Sequence, residues 1–213
     1  MKGTYFISGI DTNIGKTIAT GYVAVKLMKK GVNVITQKMI QTGNVGYSED
    51  IDLHRKIMGI DYTVDDKEGL TAPQIFSYPC SPHLAARIDK KPVDISAIED
   101  ATKELEKRYD VVLLEGAGGL MVPVTEDFLT IDYIKKHNYP LIFVTGSRLG
   151  SLNHTLLNFE VLKNKGINLY KVIYNKYPKG DSIIEADSLE YIKNYLSKNF
   201  PTSSLEIMEE INK

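Results

Sequence analysis

The sequence predicts an α/β protein with a mainly parallel sheet flanked by helices, and three observations carry that expectation. Short apolar runs alternate with amphipathic stretches along the chain, the pattern of strand–helix–strand units. Two of the runs, Val111–Leu114 and Leu141–Thr145, hold almost unbroken apolar character, as strands covered on both faces do. Two amphipathic stretches run out at a glycine, Gly31 and Gly166, the residue that best takes the left-handed turn closing a helix.

Taken in order, Thr4–Ser8 reads as a first strand and Thr17–Lys30 as a helix. Asn33–Gln37 reads as a second strand, Glu49–Met58 as a short helix and Asp94–Lys107 as a longer one. Val111–Leu114 and Leu141–Thr145 follow as strands, then Leu152–Lys165 as a helix, Leu169–Tyr174 as a strand and Ile184–Lys198 as a late helix. No internal repeat and no low-complexity tract interrupts the series. Ligands of such sheets bind beyond the carboxyl ends of the strands, which directs attention to the loops after Ser8, Gln37, Leu114, Thr145 and Tyr174.

Composition narrows the possibilities. A chain of 213 residues is expected to form a single domain, residues 1–213, since domains run to about 100–200 residues. With 43% hydrophobic and 25% charged residues it is too apolar for a disordered chain. A net charge of −1 gives no general attraction to nucleic acid or to an anionic membrane, so a basic site has to be local. No apolar run approaches the ~18 residues of a membrane span, and the stretch Met1–Ser8 is too short for a signal peptide. Cys80 is the only cysteine, which excludes an intramolecular disulfide and a cysteine zinc site and makes the cytoplasm the expected compartment.

The first loop reads Gly9-Ile10-Asp11-Thr12-Asn13-Ile14-Gly15-Lys16-Thr17. It has one residue more than the common phosphate-loop pattern, yet the physical requirements are kept. A strand ends, glycines let successive backbone N–H groups point into one concavity, and a helix begins whose positive end favours phosphate oxygens. Lys16 is then expected to neutralise charge between the β- and γ-phosphates, and the Thr17 hydroxyl to coordinate Mg²⁺. The bland alternative is a glycine-punctuated turn carrying a solvated lysine. The strand before the loop and the helix after it favour a nucleotide site.

A nucleotide–Mg²⁺ site needs a carboxylate on a second strand. Glu115 closes an apolar strand and is followed by Gly116-Ala117-Gly118-Gly119, where backbone can approach a ligand closely. Lys38 follows the second strand and so reaches the same rim, where it would stabilise charge developing in group transfer. Asp50 and Asp52 open the helix beyond it. Two positions apart they cannot face one site together, and physics alone does not choose between them.

These segments, in this order, resemble the dethiobiotin synthetase family. The likeness covers about residues 4–175: the long phosphate loop, Lys38 with Thr42-Gly43, Ser81-Pro82-His83-Leu84-Ala85-Ala86, Glu115-Gly116-Ala117-Gly118-Gly119, and Leu149-Gly150 with Asn153-His154. The resemblance implies a P-loop NTPase-like fold and ATP- and Mg²⁺-dependent ring closure of 7,8-diaminopelargonic acid with CO₂, giving dethiobiotin, ADP and phosphate. A carbamate of one amine attacks the γ-phosphate, and the second amine displaces phosphate from the mixed anhydride. It further implies that Asn13, Ile14, Gly15, Lys16 and Thr17 hold ATP, and that Thr17, Asp50 and Glu115 take the Mg²⁺, Asp50 because Ser48-Glu49-Asp50 resembles the family's lead-in to its aspartate. Lys38 takes the role of the active-site lysine beside Lys16. Thr12, Thr42 and Ser81 fall near the diamine or carbamate, and Gly116, Gly118 and Gly119 near substrate and phosphates. Gly150 and Asn153 reach the substrate carboxylate of a neighbouring subunit in a homodimer. Asn175 stands where the family reads adenine, as an amide is able to.

The C-terminal Phe200-Pro201-Thr202-Ser203-Ser204-Leu205 departs from the family's Leu-Gly-Xaa-Ile-Pro-like segment that helps enclose the base. The amidotransferases of cobyrinic and cobyric acid share a similar loop, but they need a glutaminase domain with its own cysteine. Partitioning and septum-positioning ATPases carry a lysine near the start of the loop, where Ile10 and Asp11 stand here. Cys80 and the histidines His83 and His154 are expected to be structural.

Overall fold

Strand β1 (Gly3–Gly9) leads through the glycine-bearing loop into helix α1 (Lys16–Met28) in the computed structural model, which describes residues 1–210. Then come β2 (Val34–Lys38), β3 (Gln41–Thr42), α2 (Glu49–Met58), α3 (Val64–Lys67), β4 (Ile75–Phe76), α4 (Pro82–Ile88) and α5 (Ile95–Arg108). The second half comprises β5 (Val111–Glu115), β6 (Pro123–Thr125), β7 (Phe128–Leu129), α6 (Thr130–His137), β8 (Leu141–Gly146), α7 (Ser151–Lys165), β9 (Leu169–Asn175), α8 (Ser182–Asn199) and β10 (Ser204–Met208). The main sheet is six-stranded, in the order β10-β9-β8-β1-β5-β2, and every pairing in it is parallel. No helix among the described residues is long and apolar enough to cross a membrane.

The ten expected elements are all present, with ends shifted by a residue or two. Helix α1 stops at Met28, and Gly31 takes its left-handed conformation after a further turn (φ 74°). Strand β2 runs one residue further than expected, so Lys38 is its last residue rather than part of the loop, held there by its N–H on Thr71 O at 2.7 Å. The remaining elements were not expected. They are mostly short, like α4, which begins with Pro82 in its first turn, or they depend on partners distant in sequence, like β10.

Alternation along the strands divides the core. Phe6, Leu114, Phe143, Val172 and Tyr174 face the side covered by α5 to α8, through Ile98, Tyr133, Phe159 and Ile192. Tyr5, Ile7, Leu113, Val144 and Ile173 face α1 and α2, through Ala19, Val23 and Met58. With both faces covered, the strands carry the near-continuous apolar character seen in the sequence. β1 lies inside the sheet between β8 and β5, so its carboxyl end, and the loop that follows, sits at the centre of the rim.

Candidate active site

The loop after β1 turns through Asn13 (φ 59°) and Gly15 (φ 94°), and α1 starts at Lys16. Gly15 cannot carry a side chain. A Cβ there would lie 2.5 Å from Nδ2 of Asn175, in a backbone region that L-residues rarely adopt. The loop borders a cavity of about 670 Å³. Into it converge Thr12, Asn13, Lys16 and Thr17 from the loop, Lys38 from β2, Thr42 from β3, Asp50 from α2, Ser81 before α4, and Glu115 and Gly118 from the end of β5.

The charged groups at the floor of the cavity are in direct contact. Lys38 Nζ lies 2.5 Å from Asp50 Oδ2, donates to Glu115 Oε1 at 2.8 Å and reaches Gly116 O at 3.3 Å. Thr17 Oγ1 donates to Asp50 Oδ1 at 2.8 Å and stands 3.1 Å from Glu115 Oε1. Glu115 Oε2 faces the interior, where Thr20 Oγ1 and His54 Nε2 each lie 2.9 Å away. Lys16 Nζ donates to Asp11 O at 2.8 Å.

Electrostatics hold Glu115 and Lys38 in their charged forms. Burial alone would lift the Glu115 carboxyl, but Lys38 and His54 hold it well below the usual carboxylate range. Burial alone would lower Lys38, but the Glu115 and Asp50 carboxylates outweigh it and drive the ammonium above the usual lysine value. Lys16 is pushed down to about 8, first by burial and further by Lys38, against the pull of Glu115. A phosphate in the loop would add negative charge beside Lys16 and favour its ammonium form.

Some of the sequence-expected residues do not reach the cavity. Ile14 is buried in the core beneath the loop, so only its backbone is available to a ligand. Gly116 and Gly119 shape the wall from behind: a Cβ on Gly116 would lie 2.8 Å from the Phe6 ring, and one on Gly119 3.3 Å from Gly9 O. Asn175 is buried, with its amide N–H on Ile14 O at 2.9 Å and its oxygen accepting from Tyr177 N at 3.0 Å, so one amide hydrogen is left over. A second hollow of about 260 Å³ lies on that side of the loop, between Asn13, Ser147, Arg148 and Tyr177. Gly150 and Asn153 are exposed at the start of α7 and line neither hollow. Of the two aspartates left open by spacing, Asp50 enters the cluster, and Asp52 makes no hydrogen bond through its buried Oδ1. Thr20 and His54 escape sequence reasoning. Their one signal is spacing: His54 is four residues after Asp50 and shares its helix face.

The donor set suits a hard divalent cation. Two carboxylates and a hydroxyl meet within hydrogen-bond distance of one another, an all-oxygen set of the kind Mg²⁺ accepts while keeping several waters; Cys80 lines the same cavity but makes no contact with that cluster among the described residues.

A parallel sheet whose internal strand feeds a glycine-lysine-threonine loop, faced by an acidic residue on the adjacent strand, defines a P-loop nucleoside triphosphatase fold. A family model described as an AAA domain matches residues 3–205. The fold is similar to that of the signal recognition particle receptor FtsY from Elizabethkingia anophelis (TM-score 0.54, 12% identity, 99% of this chain and 60% of that one). It is also similar to FlhF complexed with GMPPNP and Mg²⁺ (TM-score 0.51, 15% identity, 99% and 67%). Sequence relatives go further. The chain is 51% identical over 212 residues to ATP-dependent dethiobiotin synthetase BioD 2 of Pasteurella multocida, covering 100% of both. It is 55% identical over 184 residues to the enzyme of the same name from Haemophilus influenzae (86% of this chain, 96% of that one). It is 47% identical over 199 residues to ATP-dependent dethiobiotin synthetase BioD of Chlorobaculum tepidum (93% and 83%). The chain belongs to the ATP-dependent dethiobiotin synthetase family.

Proposed function

We propose that the protein makes dethiobiotin from 7,8-diaminopelargonic acid, CO₂ and ATP in biotin biosynthesis, releasing ADP and phosphate. The observation that carries this is the convergence of Lys16, Lys38, Thr17, Asp50 and Glu115 on one cavity in a chain of this family. The backbone amides from Asn13 to Thr17 and the Lys16 ammonium hold the ATP phosphates. Thr17, Asp50 and Glu115 would hold Mg²⁺, which when bound neutralises phosphate charge.

The chemistry asks little covalent help from protein. One substrate amine takes up CO₂ and loses a proton to give a carbamate. A carbamate oxygen attacks the γ-phosphorus, the bond to ADP breaks, and a carbamic-phosphoric anhydride results. The second amine attacks the anhydride carbon, expels phosphate and closes the cyclic urea. Lys38, charged and buried, stabilises the carbamate and the negative charge shared between carbamate and γ-phosphate. Thr12, Thr42 and Ser81 supply hydroxyls around the diamine, which fix the attacking oxygen in line.

In the same reading the enzyme works as a homodimer in the cytoplasm, with Gly150 and Asn153 of one subunit taking the substrate carboxylate in the other. Leu149 and Leu157, 82% and 58% exposed on either side of Asn153, support an interface there. The test is ADP release in the presence of Mg²⁺, with and without the diamine and bicarbonate. Release that requires the diamine, together with dethiobiotin among the products, is expected. Turnover indifferent to the diamine overturns the assignment.

A further inference from the structure

His54 lies on α2, four residues after Asp50, and its ring is fully buried. Nothing in the reaction outlined above uses it. Its Nε2 sits 2.9 Å from Glu115 Oε2, and because the ionised carboxylate only accepts, the imidazole is the donor. Thr20 is the other group on that oxygen, but its single hydroxyl hydrogen has two acceptors, Glu115 Oε2 at 2.9 Å and Lys16 O at 2.8 Å. The imidazole N–H is therefore the one undivided donor on Oε2 among the described residues.

The two oxygens of Glu115 consequently differ. Oε2 is turned inward and occupied, whereas among the described residues Oε1 meets only Lys38 and Thr17, both of which border the cavity. Rotation of the carboxylate about its terminal bond would exchange them, and a carboxylate free to rotate can also present both oxygens to one cation. We propose that His54 is a positioning residue that locks the Glu115 carboxylate so that Oε1 alone is offered to the divalent cation. This rests on the reading of Glu115 as a metal ligand. Hydrogen bonds to the far oxygen of a ligating carboxylate set its orientation, and loss of such an outer partner typically weakens metal binding about 10–100-fold.

The test measures Mn²⁺ binding, by electron paramagnetic resonance of the free ion, to protein loaded with a non-hydrolysable ATP analogue. His54→Leu should weaken binding about tenfold or more. It should raise the Mg²⁺ concentration for half-maximal ADP release in parallel and leave KM for the diamine unchanged. His54→Gln, whose amide N–H reaches the same oxygen, should recover most of the affinity, and the shorter His54→Asn should not. A role in packing alone would lower the melting temperature of all three variants without separating Gln from Asn. Parental Mn²⁺ affinity in His54→Leu overturns the proposal. So does equal affinity of the Gln and Asn variants, a comparison that still decides if the Leu variant does not fold. Glu115→Gln separates the two levels of inference. Unaltered Mn²⁺ binding in that variant overturns the metal-ligand reading itself, whereas weakened binding there with parental binding in His54→Leu overturns only the role of His54.

Discussion

Helix α2 contributes to two charge clusters that lie side by side against β2. Asp50 and His54 face Lys38 and Glu115. Arg55, the next residue, turns toward the segment bearing α3, where its Nε and Nη2 grip Asp66 at 2.9 and 2.7 Å and its Nη1 donates to Thr36 Oγ1 at 2.8 Å. Asp66 is completed by Thr71 Oγ1 at 2.6 Å and Thr63 N at 2.7 Å. Both clusters pair opposite charges and satisfy them with hydrogen bonds, so burial and pairing alone do not tell them apart. The difference is access. Side chains in the Arg55–Asp66 pair are 3% and 1% exposed and border neither hollow, whereas Lys38 and Asp50 open onto the larger cavity with hydrogen-bonding capacity facing it. The sealed cluster holds the α3 segment along the free edge of β2, and the open one is where the proposed chemistry takes place.

Four substitutions test that division. Removing one partner of the sealed pair should cost the most stability. Arg55→Leu leaves the Asp66 carboxylate buried and is expected to lower unfolding free energy by about 3–5 kcal/mol in urea denaturation. The pH dependence follows from Asp66. Burial would raise its pKa, but Arg55 and Thr71 hold it down at about 2. A folded-state value below the unfolded one gives stability that is full above about pH 4 and fades as pH falls through about 2. The stability advantage over Asp66→Asn should therefore shrink across that window. An advantage that does not change with pH contradicts an ionised Asp66 in the folded state.

The open cluster should respond the other way. Lys38→Ala is expected to cut turnover about 10²–10³-fold, comparable to losing one transition-state donor, while ATP-analogue affinity changes far less. Equal activity of variant and parent would return Lys38 to a strand-end lysine. The smallest effect belongs to Asp52→Asn, which leaves the cavity-facing groups intact. Its Mg²⁺ requirement should match the parent, with stability within about 0.5 kcal/mol. A shifted Mg²⁺ requirement there would transfer the metal role from Asp50.

The parts legible in the sequence are those written in contiguous residues. The strand–loop–helix around Lys16, the apolar strand ending at Glu115 and the helix opening at Glu49 each carry their own periodicity and punctuation. What was not legible depends on partners far along the chain. Ser204–Met208 becomes a strand where β9 offers it an edge, and His54 reads as one helix residue among others until Glu115 arrives from β5. Asp50 and Asp52 show the same limit: spacing says that only one faces the site, and only the packing of α2 against α1 and β2 says which.

The internal position of β1 has a consequence for how the protein is made. The strand and the phosphate loop leave the ribosome well before their flanking partners β5 and β8. The loop is backed later still, by Asn175, whose amide holds Ile14 O, and by Met208, whose Cε lies 4.0 Å from where a Gly15 Cβ would be. Such long-range closure slows folding and leaves apolar β1 waiting without neighbours. The residues lining the cavity are complete by Val122, but β8, which flanks β1, and Asn175, which backs the loop, are made only afterwards.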